Sequence, residues 1–126
     1  MDAASVAALA HPQVQAALLG EAVASAEVGV LVWDDDRHFV AANSCACDLL
    51  GCTLDQLLGT SVGDHTVDGE ETVERVLRGA GGRGRVTVER FDGGTIALEY
   101  LTFATRTAGL PYMASIVWPA NEPTSA

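Results

Sequence analysis

The sequence predicts an α+β domain: a five-stranded antiparallel sheet with helices on one face and an N-terminal helix against the other. Three observations lead there. An alanine-rich stretch with helical spacing comes first, over residues 3–26. Two short β-branched runs follow, then a middle section of short helical segments closed by glycines, then three longer strand-like runs joined by turn residues. Those last strands are apolar on both sides, so neither face of the sheet is suited to open solvent.

In chain order, Val6, Leu9, Val14, Leu18, Leu19 and Val23 recur at roughly helical intervals, and Pro12 interrupts them. Proline suits the first position of a helix, where its missing N–H would have no partner anyway. The reading is a short turn or helix up to Ala10 and a helix from about Pro12 to Ser25. "VGVLVW" (28–33) and "HFVAAN" (38–43) are strands joined by a turn at Asp35, Asp36 and Arg37. Asn43 and Ser44 offer an N-cap to "CACDLLG", which Gly51 ends, and Thr53 caps "LDQLLG", closed by Gly59. "ETVERVLRG" (71–79) carries Val73, Val76 and Leu77 on one stripe of a helix. "RVTVERF", "TIALEYLTFA" and "YMASIVW" are the last three strands, linked by "DGG" and "RTAGLP".

Strand alternation assigns the faces. Leu98, Tyr100 and Thr102 point one way, and Leu101 and Phe103 the other, with Glu99 among them. Met113, Ser115 and Val117 oppose Tyr112, Ile116 and Trp118. The middle helices can cover one face only, so the other calls for the N-terminal helix, a partner chain, or both.

A chain of 126 residues is one domain. It divides into an N-terminal helical segment (1–26), a core (27–119) and a loose polar tail (120–126). No apolar run approaches membrane-spanning length and no signal-peptide pattern opens the chain, which reads as cytoplasmic. Three cysteines, an odd number, fit a reducing compartment. The net charge is −10, and all seven basic residues are arginines, scattered or beside acids. Direct contact with nucleic-acid phosphates or an anionic membrane needs the opposite surface.

Ligand-type residues crowd "VWDDDRHFVAANSCACDLLG" (32–51), and the crowd reads as architecture. Asp34, Asp35 and Asp36 lack the alternating acids and distal Glu of a calcium loop and suit a solvated turn. Cys45 and Cys47, two apart on a helix, face different sides, and Cys52 with a distant histidine makes a poor zinc set. The reading is therefore no metal site. "GAGGRG" (79–84) formally fits a dinucleotide fingerprint, yet it follows a helix and precedes a strand, the reverse of what phosphate binding at a helix N-terminus needs. It reads as a flexible loop. No Cys–His nucleophile pair is legible, and lone cysteines more often pack as small apolar residues, so the expectation is not an enzyme.

The order of elements resembles the PAS family. An apolar strand, an acidic turn, a strand ending in Asn and a helix ending in Leu-Gly stand here as "VGVLVWDDDRHFVAANSCACDLLG", with Asn43 at the family's Asn position. A second Leu-Leu-Gly follows in "TLDQLLG", "RFDGGTIALEY" is similar to the family's Asp-Gly…Glu hairpin through Asp92, Gly93 and Glu99, and "ASIVW" fits its last strand. The resemblance covers about residues 20–119. It implies a sensor, cofactor holder or dimerisation module working with a kinase, cyclase or transcription regulator, although fold alone does not give function.

From that resemblance follow the site expectations. A cavity between the sheet and the 71–79 helix would be lined by Val62, Val73, Val76, Leu77, Val88, Leu98, Tyr100, Met113 and Ser115, with Tyr100, Thr102 and Ser115 able to orient a ligand. The plain alternative is that these residues fill an ordinary core. Haem-binding relatives use a histidine on the long helix, and none lies in 71–79; His65, just ahead of it, is the remaining weak haem-ligand candidate, against a reading as a surface loop residue. The light-sensing branch needs a cysteine ahead of the long helix, and residues 60–78 have none, which argues against flavin photochemistry. The leading expectation is a non-enzymatic signalling module whose partners are an effector and a second copy of itself, the homodimer burying Val14, Leu18, Leu101, Phe103 and Trp118. The alternative is a sensor holding a small apolar ligand or haem.

Overall fold

A computed structural model describes residues 2–67 and 82–120. The predicted 71–79 helix, and with it Val73, Val76 and Leu77, lies outside the described residues.

The N-terminal segment is two helices, α1 (Ala3–Leu9) and α2 (Pro12–Ala24). Asp2 caps α1 by accepting the Ser5 N–H at 2.7 Å. His11 caps α2 in the same way, its Nδ1 accepting the Gln13 N–H at 3.2 Å, with Pro12 at the first helical position. Neither helix contains a buried residue.

Five strands follow the predicted order: β1 (Gly29–Trp33), β2 (Phe39–Ala42), β3 (Arg83–Glu89), β4 (Thr95–Thr107) and β5 (Leu110–Pro119). They form one sheet in the order β2-β1-β5-β4-β3, with every neighbour antiparallel. Between β2 and β3 lie α3 (Ser44–Leu50) and α4 (Leu54–Leu57). Asn43 caps α3, and Gly51 ends it in the left-handed conformation at φ 67°. Thr53 and Gln56 close a reciprocal capping box on α4.

β3 starts earlier than the sequence suggested, and β4 and β5 run longer. β3 starts at Arg83, inside the stretch read as a flexible loop, and the Thr102 N–H donates to the Gly82 carbonyl at 2.6 Å to continue the pairing. Gly84 fits there because a Cβ would press on the Tyr100 ring, 2.9 Å from Cζ. "RTAGLP" is not a loop: β4 and β5 pair as far as Thr107 and Leu110, and Ala108 and Gly109 turn the chain at φ 51° and 77°. Two consecutive positive φ values match the twist of a two-residue hairpin, although alanine is an unusual residue to supply one.

The core lies between the inner sheet face and α3 and α4. Leu31, Trp33, Val88, Leu98, Tyr100 and Val117 come from the strands, and Ala46, Leu50 and Leu57 from the helices. The predicted facing of β4 and β5 holds: Leu98 and Tyr100 are buried, whereas Leu101 and Phe103 are 37% and 45% exposed. Val14 and Leu18 of α2 also stay exposed, so a single chain leaves apolar surface open both on this helix and on the outer sheet face.

Candidate functional site

Alternation along β1 aims Leu31 and Trp33 inward, beside Ser115 of β5 and, one strand further, Thr102 of β4. Antiparallel pairing sets Leu31 opposite Ser115 and Ser115 opposite Thr102, so these side chains form a row across the inner face. Leu50 and Leu57 close over the row from the helices, and Val62, His65 and Thr66 border it from the following loop. This half-open cavity holds about 100 Å³, and its wall among the described residues is almost wholly apolar.

Of the expected lining, Val62, Val88, Leu98, Tyr100 and Ser115 border this cavity. Met113 does not. It sits on the inner face two residues beyond Ser115, opposite Trp33, and borders an open groove with Ala104, Arg106 and Tyr112. The indole of Trp33 borders both spaces. Trp33, Phe39, Leu50 and Leu57 were missing from the expected lining. Gly29, Leu31 and Trp33 are the buried positions of β1, an alternation that the uniformly apolar sequence there does not display.

Trp33, Ser115 and Thr102, three of the inner-face side chains with polar atoms that border the cavity, are joined by hydrogen bonds. Trp33 Nε1 donates to Ser115 Oγ at 3.2 Å, and the Ser115 and Thr102 hydroxyls are 2.8 Å apart. The His65 ring stacks on Phe91 with centroids 4.0 Å apart, and its backbone carbonyl accepts the Glu89 N–H at 2.7 Å. That stacking makes His65 a packed rim residue rather than a free loop side chain. Among the described residues the cavity holds about 100 Å³, below the roughly 300 Å³ at which drug-sized sites begin. No cysteine borders the cavity among the described residues.

The acidic hairpin is built as a turn. Asp34 accepts the Arg37 N–H on its carbonyl and the His38 N–H on its carboxylate, at 3.0 and 2.8 Å. Asp34, Asp36 and His38 thereby approach one another within 4.8 Å, His38 being the member the sequence did not group with the acids. Cys45, Cys47 and Cys52 are free thiols. Burial, with help from Asp48 and Glu27, raises the Cys45 pKa, and burial with the neighbouring Cys47 raises that of Cys52 to about 11. Neither thiol is activated as a nucleophile.

Asn43 makes four side-chain hydrogen bonds, the most of any side chain among the described residues. Its Oδ1 accepts the N–H groups of Val30 and Ala46 at 2.9 and 3.0 Å, and its Nδ2 donates to the carbonyls of Val23 and Val28 at 2.7 and 2.9 Å. The expected strand-to-helix tie is present, and it reaches the end of α2 as well. On the outer face, Trp118 Nε1 donates to Glu99 Oε2 at 2.8 Å, which holds the indole down across β5 and β4.

A family model described as PAS fold matches residues 23–102. A PAS domain from a two-component sensor histidine kinase has a TM-score of 0.75 at 14% identity, over 86% of this chain and 98% of that one. The PAS domain of an HTR-like protein from Haloarcula marismortui gives 0.72 at 21%, covering 86% and 93%. A domain of the sensory box sensor histidine kinase/response regulator from Geobacter sulfurreducens gives 0.69 at 20%, covering 86% and 97%. The comparison with curated proteins finds no match.

Proposed function

The chain belongs to the PAS family, and we propose that it acts there as a non-enzymatic signalling module that pairs with a second copy of itself and regulates an attached or partner effector. The observation that carries this reading is the pair of apolar surfaces a single chain leaves open. Val14, Leu18 and Val23 are exposed on α2, and Leu101 and Phe103 on the outer sheet face. Exposed apolar patches of this kind commonly mark association sites. A two-fold dimer would bury both surfaces, with Trp118 at the margin, because each copy presents the same patch to the other.

The solved sensor histidine kinase domains of the same fold support an effector of the kinase type, with a transcription regulator as the alternative. Asn43 supports a route for the signal, since one amide joins β1, α3 and the end of α2. The cytoplasm suits the free thiols, and no helix among the described residues is long and apolar enough to cross a membrane. Sedimentation equilibrium tests the reading: a dimer is expected at micromolar concentration, and a stable monomer at high micromolar concentration overturns it.

The cavity favours a second reading, in which the module senses a small molecule. A ligand that binds one arrangement of the helices better than another shifts their population, and Asn43 would carry that shift to α2. Native mass spectrometry of the purified protein is expected to show bound material, and a mass matching the bare chain counts against it.

A further inference from the structure

The hydrogens of the Trp33–Ser115–Thr102 chain outnumber the acceptors that the chain offers them. Trp33 brings one N–H, and Ser115 and Thr102 bring one O–H each. The indole hydrogen goes to Ser115 Oγ. One hydroxyl hydrogen bridges the Ser115–Thr102 pair, and either oxygen can be its donor. If Ser115 donates, the Thr102 hydrogen is left over. If Thr102 donates, Ser115 accepts twice and its own hydrogen is left over. Neither hydroxyl meets another acceptor among the described residues. Both side chains are at least nine-tenths buried, with Thr102 7% and Ser115 9% exposed, so the spare hydrogen can meet a partner only from the cavity side. Both border the cavity.

We propose that the cavity is built for a small, uncharged, largely apolar molecule with one hydrogen-bond acceptor, held by the spare hydroxyl hydrogen of the Thr102–Ser115 pair. This rests on the ligand-sensing reading and gives it a chemical class. Size limits the molecule to about a small ring, since an engineered apolar cavity of roughly 150 Å³ takes benzene and this one is about 100 Å³. Among the described residues the wall has no acid, lysine or arginine, so those residues offer an ion no carboxylate, ammonium or guanidinium counter-charge. A ketone, aldehyde or ether oxygen matches that donor. Because Ser115 and Thr102 can exchange the roles of donor and acceptor, the free hydrogen can lie on either side of the pair.

Cyclopentanone and methylenecyclopentane test this, because they share a shape and differ by an oxygen in place of a CH₂. A wholly apolar cavity favours the hydrocarbon, which leaves water more readily. The proposal expects both to bind the full-length chain, with nuclear Overhauser contacts to the Leu98 and Val117 methyls, and the ketone about two- to tenfold tighter. The ketone carbonyl ¹³C resonance should also move downfield on binding, as for a hydrogen-bonded carbonyl. Equal or tighter binding of the hydrocarbon, or contacts away from those methyls, overturns the donor assignment and leaves ligand sensing standing. Binding of neither probe overturns both.

Discussion

The side-chain amide of Asn43 donates to the backbone carbonyl of Val23 at 2.7 Å, fastening the last turn of α2 to the junction of β2 and α3. The same side chain caps α3 through Ala46 and accepts the β1 N–H of Val30, so sheet, inner helix and N-terminal helix meet on one residue. Replacing it with Ala removes the cap and strands a half-buried donor at Val30. Those losses sum to about 2–4 kcal/mol of stability. Asn43→Asp separates the two roles: both acceptor bonds persist while the two donors to Val23 and Val28 are lost. The Asp variant also sets a carboxylate oxygen against the Val23 and Val28 carbonyls, so it should lower Tm and show faster amide hydrogen exchange in α2 than in β1. Equal exchange in α2 of both proteins would mean that Asn43 does not hold the helix.

That junction was partly legible. An Asn-Ser pair between an apolar strand and a helix closed by Leu-Gly reads as a strand end and an N-cap, because a short polar side chain there can satisfy free helix N–H groups. Its bonds to Val23 and Val28 were not, since they depend on where the chain lies after the α2 C-terminus. Face assignment on β4 and β5 was also legible, because alternation is geometric. Trp33 was harder: "VLVW" is apolar at every position and gives no contrast between faces. Met113 shows the limit of alternation. It lies on the correct face, yet further along β5 than the cavity reaches, and strand period carries no information about where a helical layer stops.

The open outer face gives a prediction about association. Phe103 is 45% exposed and Leu18 49%, so a charge at either position costs the single chain little. Phe103→Glu and Leu18→Glu should each leave Tm within about 1 °C while weakening self-association tenfold or more, the equivalent of about 1.4 kcal/mol. Analytical ultracentrifugation of the variants over a concentration series measures this. A dimer of unchanged strength in both would remove the proposed interface.

Gly51 and Asp92 are similarly interdependent. Gly51 turns left-handed at φ 67°, and a side chain there would run into the Asp92 carboxylate, which receives Arg90 through Nε and Nη2 at 2.9 Å each. Gly51→Ala adds backbone strain and displaces the ion pair, with an expected cost of about 1–3 kcal/mol. The Arg90 hydrogen bonds hold the Asp92 pKa below its ordinary value. Its folded pKa being depressed, the pair's contribution is present above the ordinary aspartate range and fades as pH falls through the lowered value. Asp92→Asn should thus lower Tm slightly at neutral pH and converge with the unmodified protein in strong acid. Solvent exposure keeps the gap small, and a gap that widens on acidification would contradict the sign.

Cys52 offers a kinetic measurement of burial. Its thiol sits just past the end of α3, its backbone N–H donating to the Cys47 carbonyl at 3.0 Å, and desolvation together with Cys47 raises its pKa to about 11. The thiolate is the species that attacks an alkylating reagent. An ordinary thiol near 9.0 is about a hundredfold richer in thiolate than Cys52 at neutral pH, so iodoacetamide should modify Cys52 about a hundred times more slowly at about pH 8. The rate should keep climbing to about pH 11, where an ordinary cysteine has already levelled off, provided circular dichroism shows the chain still folded. Peptide mass spectrometry resolves the site. Rapid alkylation of Cys52 at neutral pH would mean that the α3 C-terminus opens often enough to expose it, and the non-enzymatic reading would lose its support from an unactivated thiol.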